Sequence, residues 1–176
     1  IVQNGNLGEY IAQNIGKVDS ELLEVIISEV ILRYCKIEAD ELRKNRVPYS
    51  LTDGLVVGDI EKATNFEISK ACCATYIAAV LYKSGALSED FMNNYYYHGT
   101  ADYQFVKMLD DAGWQRINIE DVRPGDVCLW TGHIFIYAGD GMIWDQRTGT
   151  LNDDGTVPEG VPLENWEEYS KNDLTI

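Results

Sequence analysis

DVCLWTGHIFIYAGDGMIWDQ, residues 126–146, is where the chain stops reading as helix. Its short apolar runs, VCLW, HIFIYA and MIW, are separated by Thr131-Gly132 and by Gly139-Asp140-Gly141, the punctuation of tight turns between strands. In the middle run Ile134 and Ile136 alternate to one face, and His133, Phe135 and Tyr137 to the other. Turn geometry then decides which polar residue of the third run meets His133. A two-residue loop at Gly139-Asp140 sets His133 opposite Gln146 and turns Asp145 away. A three-residue loop, 139–141, with Gly141 left-handed, moves the register by one. Asp145 then pairs with Phe135 and lies diagonal to His133 on the same face. Gly-Asp-Gly fits the three-residue loop, whose last position favours glycine. Asp145 is therefore the expected partner and Gln146 the secondary candidate.

Upstream the apolar spacing is helical. In VDSELLEVIISEVILRYCKIEADELRKN, Asp19 or Ser20 can cap a helix whose buried face is Leu23, Ile26, Ile27, Val30, Ile31 and Tyr34. RVPYSLTDGLVVGD, broken by Pro48, Gly54 and Gly58, reads as loop. SKACCATYIAAVLYKSG reads as a second helix with Ser69 as cap, a stripe of Cys73, Tyr76, Ile77, Val80 and Leu81, and Gly85 as the stop. SEDFMNNYYYHGT reads as a helical turn and an aromatic loop. TADYQFVKMLDDAGW reads as an amphipathic helix between Thr100 and Gly113. The tail reads as loop, with a last turn or strand around Trp166. Helices followed by a meander of strands make an α+β fold, N-terminal helices packed on one face of a small antiparallel sheet. The expected organisation is a helical segment, residues 1–44, packed on or leading into a domain of residues 45–176.

Composition narrows the function. Twenty-nine acidic and 14 basic side chains give a net charge of −15, which argues against nucleic acid and anionic membrane surfaces as partners. No apolar run approaches the ~20 residues that span a bilayer, so no membrane insertion is expected. Cys35, Cys72, Cys73 and Cys128 are too few for a disulfide scaffold, and neither they nor His98 and His133 follow a metal-ligand spacing; no metal and no cofactor are expected. The chain opens at Ile1 rather than methionine, which suggests further domains of a longer protein.

The doublet Cys72-Cys73 is the first chemical candidate. A thiol in the first turn of a helix sits at the positive end of the backbone dipole, which favours the thiolate, the attacking form. Cys73 lies on the apolar stripe, and Cys72 about a hundred degrees around the helix. Plain packing competes with this reading, since free cysteine is among the most buried residue types. His98 falls in an aromatic loop. His133, an ionisable ring among aromatics on a strand, is the better base.

CCATYIAAVLYKSG followed by VRPGDVCLWTGHIFIYAGDGMIWD resembles the NlpC/P60 cysteine peptidases and, more loosely, the CHAP amidases. The resemblance covers roughly residues 45–146. Cys73 to Gly85 matches the spacing from the family's cysteine to its glycine, Pro124-Gly125-Asp126 the lead-in to the sheet, and His133 to Asp145 the spacing to the third polar residue. The resemblance implies a papain-like fold with Cys73 as nucleophile, His133 as base and Asp145 as the third member, and it puts Cys72 where the family usually has aspartate. Tyr49 is the nearest equivalent of a tyrosine that the family carries before its cysteine. Cys-Ala-Thr replaces the family's Cys-Ser-Gly, and Asp145 stands where many members have histidine.

The implied activity is hydrolysis of peptide amide bonds in bacterial peptidoglycan, as an endopeptidase or amidase of bacterial or phage (endolysin-like) origin. The implied partner is the wall peptide, and the implied location is the cell wall, reached by secretion or phage delivery. Two other readings use the same residues. One is a thiol-dependent transferase or deamidase, a toxin acting on a protein substrate. The other is a non-catalytic binding domain.

Overall fold

The computed structural model describes residues 20–47, 59–67, 71–95, 102–130, 133–146 and 161–162. Tyr49, Ser69, His98, Thr100, the Thr131-Gly132 turn and Trp166 lie outside the described residues.

Helix α1, Ser20–Lys44, follows the expected periodicity. Its first turns are only half-buried at Leu23, Ile26 and Ile27, and full burial begins at Ile31 and continues through Cys35, Ala39 and Leu42. A short helix, α2, spans Ile60–Ala63, with Asp59 as its cap. Helix α3, Cys73–Lys83, is where the expected cap fails: the N-cap is Cys72, three residues beyond Ser69. The physical reason is Thr75, whose side chain closes a capping box on the Cys72 backbone and fixes the start of the helix there. The expected stripe also widens, because every residue from Cys73 to Leu81 is buried. The alanines at 74, 78 and 79 let neighbours close on all sides of the helix.

Helix α3 ends as its sequence suggests. Gly85, at φ 76°, takes the left-handed conformation that lets the chain leave the helix. Helix α4, Glu89–Met92, is capped by Ser88, and helix α5, Asp102–Asp111, stops before Gly113 at φ 80°. No described helix is long and apolar enough to cross a membrane.

The sheet is antiparallel and its strands follow in chain order: β1 Val127–Trp130, β2 His133–Gly139, β3 Met142–Trp144 and β4 Val161–Pro162. Strand β4 falls in the tail that reads as loop. Two residues with a proline give little periodic signal, and an edge position tolerates the proline's missing N–H. The β2–β3 turn corrects the three-residue loop. Asp140 and Gly141, at φ 51° and 73°, form a two-residue turn with positive φ at both positions, and Gly139 pairs with Met142. Ala138 is bulged out between the pairs Tyr137–Ile143 and Gly139–Met142. The bulge supplies the one-residue shift that the longer loop would have supplied. Ile136 therefore still faces Trp144, and that register, continued, sets Asp145 against Phe135.

Helices α1 and α3 pack on each other and on β2. One apolar cluster joins Ile31, Cys35, Ala39 and Leu42 of α1 with Cys73, Tyr76, Ile77, Val80 and Leu81 of α3. On the sheet it takes in Val127, Leu129, Ile134 and Ile136. Two polar contacts bind the helices together. The Tyr76 hydroxyl donates to the Cys35 carbonyl at 2.8 Å, and Lys83 Nζ meets buried Glu38 Oε2 at 2.6 Å. Burial pushes the Glu38 carboxyl above its ordinary range, against the pull of Lys83. The lead-in to β1 is tied down as well: Gly125 N–H donates to the Tyr137 carbonyl at 2.8 Å, and Tyr137 N–H to the Asp126 carbonyl at 3.0 Å.

Candidate active site

The bulged hairpin brings His133 and Asp145 together. His133 Nε2 lies 2.8 Å from Asp145 Oδ2, and both residues are buried. A carboxylate can only accept, so Nε2 carries the proton in this contact and the neutral imidazole has its basic lone pair on Nδ1. Asp145 thus holds the tautomer and the ring plane of His133. Phe135, two residues along the same strand face, stacks on the His133 ring with centroids 6.0 Å apart. Gln146 is not brought to His133. Its carboxamide is 1% exposed, and among the described residues neither Nε2 nor Oε1 has a hydrogen-bond partner.

The thiol doublet is shaped by its helix start. Cys72 is extended, at φ −133° and ψ −179°, and its backbone N–H donates to Thr75 Oγ1 at 2.6 Å. The Thr75 hydroxyl in turn faces the Cys72 carbonyl at 3.1 Å and the Cys72 sulfur at 3.5 Å. The Cys73 thiol, hydrogen-bonded to the Cys72 sulfur, is the largest of the influences that pull the Cys72 thiol down to about 6. Burial opposes it, and the N–H and hydroxyl groups of Thr75 and the N–H of Ala74 add to the lowering. The thiol pair is therefore acidic at the helix start. Cys35 and Cys128 are the opposite case: burial pushes both thiols far up, so they stay protonated.

Helix α3, which opens with the thiol pair, packs on β2, which opens with His133; Cys72 and Cys73 share one buried cluster with Ile134 and Ile136, whose side chains alternate with those of His133 and Phe135 along the strand. Asp145 also reaches the helix electrostatically. Together with Cys35 and Glu38, and after burial itself, its charge keeps the Tyr76 phenol above its ordinary range. Tyr49 lies outside the described residues.

Thr75 is a contributor that the apolar periodicity does not mark. Its signal is a capping box with cysteine in the place of serine, Cys-x-x-Thr. The arrangement combines an ionisable thiol pair at a helix start with a carboxylate-held imidazole on the adjoining sheet, the chemical parts of a nucleophile and its base. No family model, curated protein or solved structure matches the chain.

Proposed function

We propose that the chain is a cysteine-dependent hydrolase of peptide amide bonds in bacterial peptidoglycan, with a papain-like NlpC/P60 fold and a Cys73–His133–Asp145 site. The observation that carries the proposal is the buried 2.8 Å contact between His133 Nε2 and Asp145 Oδ2 on a strand packed against the helix that opens with the thiols. In this reading His133 Nδ1 accepts the Cys73 proton and the thiolate attacks the amide carbonyl carbon. Backbone N–H groups at the start of α3 stabilise the oxyanion. His133 then protonates the departing amine. A water, deprotonated by the same imidazole, attacks the thioester and releases the acid and the thiol. The expected location follows from the substrate: the cell wall, reached by secretion or phage delivery.

Digestion of purified peptidoglycan and defined muropeptides, with mass spectrometry of the products, tests the proposal. Support is the release of new amino groups at one bond by the wild type and its loss in Cys73→Ala. Inert wall and inert muropeptides would sink it, and would turn attention to a thiol-dependent transferase or deamidase with a protein substrate. A second assignment within the same chemistry rests on the lowered pKa of the Cys72 thiol. Turnover that survives in Cys73→Ala and vanishes in Cys72→Ala would move the nucleophile there.

A further inference from the structure

Helix α1 turns Ile31, Cys35, Ala39 and Leu42 into the core, and its opposite side is not an ordinary solvated face. Leu22, Val25, Glu29, Arg33 and Ile37 follow one another along that side at intervals of three or four residues. Four large apolar side chains are exposed among the described residues, and three of them, Leu22, Val25 and Ile37 at 54, 57 and 38%, lie here. Between them Glu29 and Arg33 are exposed and, among the described residues, form no ion pair. Beside this strip a groove of about 530 Å³ opens between α1 and the β2–β3 hairpin. Leu32 and Ile37 wall it on one side, and Trp144 and the bulged Ala138 on the other. Apolar surface left in water along an open groove marks a contact surface.

We propose that this side of α1 is a self-association surface, on which α1 of a second copy of the chain lies antiparallel about a two-fold axis at the level of Ile31. The order of charges about that level selects this occupant. Glu29 and Arg33 stand two positions to either side of Ile31, and Val25 and Ile37 six. A two-fold axis there sets Glu29 against the partner's Arg33 and Val25 against the partner's Ile37, each contact made twice. Parallel pairing in register would oppose Glu29 to Glu29 and Arg33 to Arg33, which like-charge repulsion disfavours. The charged residues that line the groove, Glu29, Asp40, Arg33 and Lys36, balance, so nothing in it selects a basic peptide over a second copy. Each copy carries a net charge of −15. At 0.15 M salt that repulsion is screened beyond about 8 Å, whereas the paired charges touch. A helix of 25 residues is about 37 Å long, and a strip about 10 Å wide along it buries on the order of 400 Å² per copy. That is about half of a standard interface, so the dimer is weak. The surface faces away from α3 and its thiols, and the inference stands apart from the hydrolase reading.

Sedimentation velocity of the full chain between about 1 and about 300 μM in 0.15 M NaCl tests the proposal, with circular dichroism of each variant to check its fold. Wild type is expected to pass from monomer to dimer with a Kd on the order of 100 μM. Glu29→Arg and Arg33→Glu each set like charges against one another across the axis, and each should weaken association by about tenfold or more. An equimolar mixture of these two variants restores opposite charges at both contacts and should dimerise again, which an unfolded variant would not do. Glu29→Arg combined with Arg33→Glu in one chain should recover wild-type association to within about threefold. A wild type that stays monomeric at every concentration would overturn the inference. So would a dimer that neither single variant weakens, or a combined variant as weak as the single ones.

Discussion

The Thr75 hydroxyl serves both the backbone and the sulfur of Cys72. Thr75 Oγ1 accepts the Cys72 N–H and lies 3.5 Å from the Cys72 sulfur, so the capping box that starts the helix also solvates the anion. Thr75→Val removes that hydroxyl and leaves the backbone N–H groups in place. Alkylation of the wild-type pair by iodoacetamide should therefore rise through about pH 6, and the midpoint should move upward in Thr75→Val. An unmoved midpoint would assign the acidity to the backbone and Cys73 alone. Loss of the cap costs about 1 kcal/mol of stability in the same variant, read by urea unfolding. Cys35 and Cys128 should stay unlabelled near neutral pH. At the other end of the site, Asp145→Ala leaves His133 free to rotate and to take the wrong tautomer. Turnover should fall on the order of 10²-fold with little change in KM, and a full-rate variant would remove Asp145 from the reaction.

At the scale of elements, what positions the site is a set of close approaches around the lead-in to the sheet. Gly125 sits at φ 99°, and a Cβ there would lie 2.9 Å from both Cα and Cβ of Ser28 on α1. The glycine thus serves both the turn and the seating of α1 beside β1 and β2. Gly125→Ala should cost about 2 kcal/mol, a fall in Tm of roughly 4–8 °C, because neither the φ nor the backbone of Ser28 can yield cheaply. A Tm within a degree of wild type would mean that α1 is free to lift at this point.

The sequence made this geometry only partly legible. The Pro124-Gly125-Asp126 stretch reads as a turn, yet nothing in it names Ser28, almost a hundred positions away. The three-and-four spacing of α1 and α3 is explicit in the order of residues, and so is the alternation of His133, Ile134, Phe135 and Ile136. The register that places Asp145 comes from a bulge at Ala138, not from the three-residue loop that Gly-Asp-Gly suggests. Gly-Asp-Gly accommodates a three-residue loop and a two-residue turn with a bulge equally well, and only cross-strand pairing, a tertiary matter, chooses between them. Ser69 and Thr75 compete as organisers of the start of α3, and local propensity cannot rank them. That Gln146 has no hydrogen-bond partner among the described residues is invisible in sequence, since it depends on tertiary neighbours.

The whole molecule holds its site on the contact between α1 and α3, and the one buried ion pair described in that contact is Glu38 with Lys83. Glu38 is almost fully buried, while the Lys83 side chain keeps 31% of its exposure and lies 5.3 Å over the Phe66 ring. Burial raises the Glu38 carboxyl, and the Lys83 charge works against that rise. A carboxyl whose folded-state pKa lies above its unfolded value takes up protons on folding. Its burial therefore weakens the fold at neutral pH and ceases to do so as pH falls through the folded value. Lys83→Met removes the counter-charge and raises the folded value further. The variant should lose about 2 kcal/mol at pH 7, below the 3–5 kcal/mol for a fully buried pair, because part of Lys83 is in water. The deficit should be smaller at pH 5 than at pH 7, because lowering the pH favours the protonated, uncharged form of Glu38. Adding Glu38→Gln to Lys83→Met should restore most of the loss at pH 7, since no buried charge then remains unpaired. Urea unfolding at the two pH values measures each step. A deficit that stays constant with pH, or a double variant no better than Lys83→Met, would assign the contribution of Lys83 to its packing over Phe66 rather than to its charge.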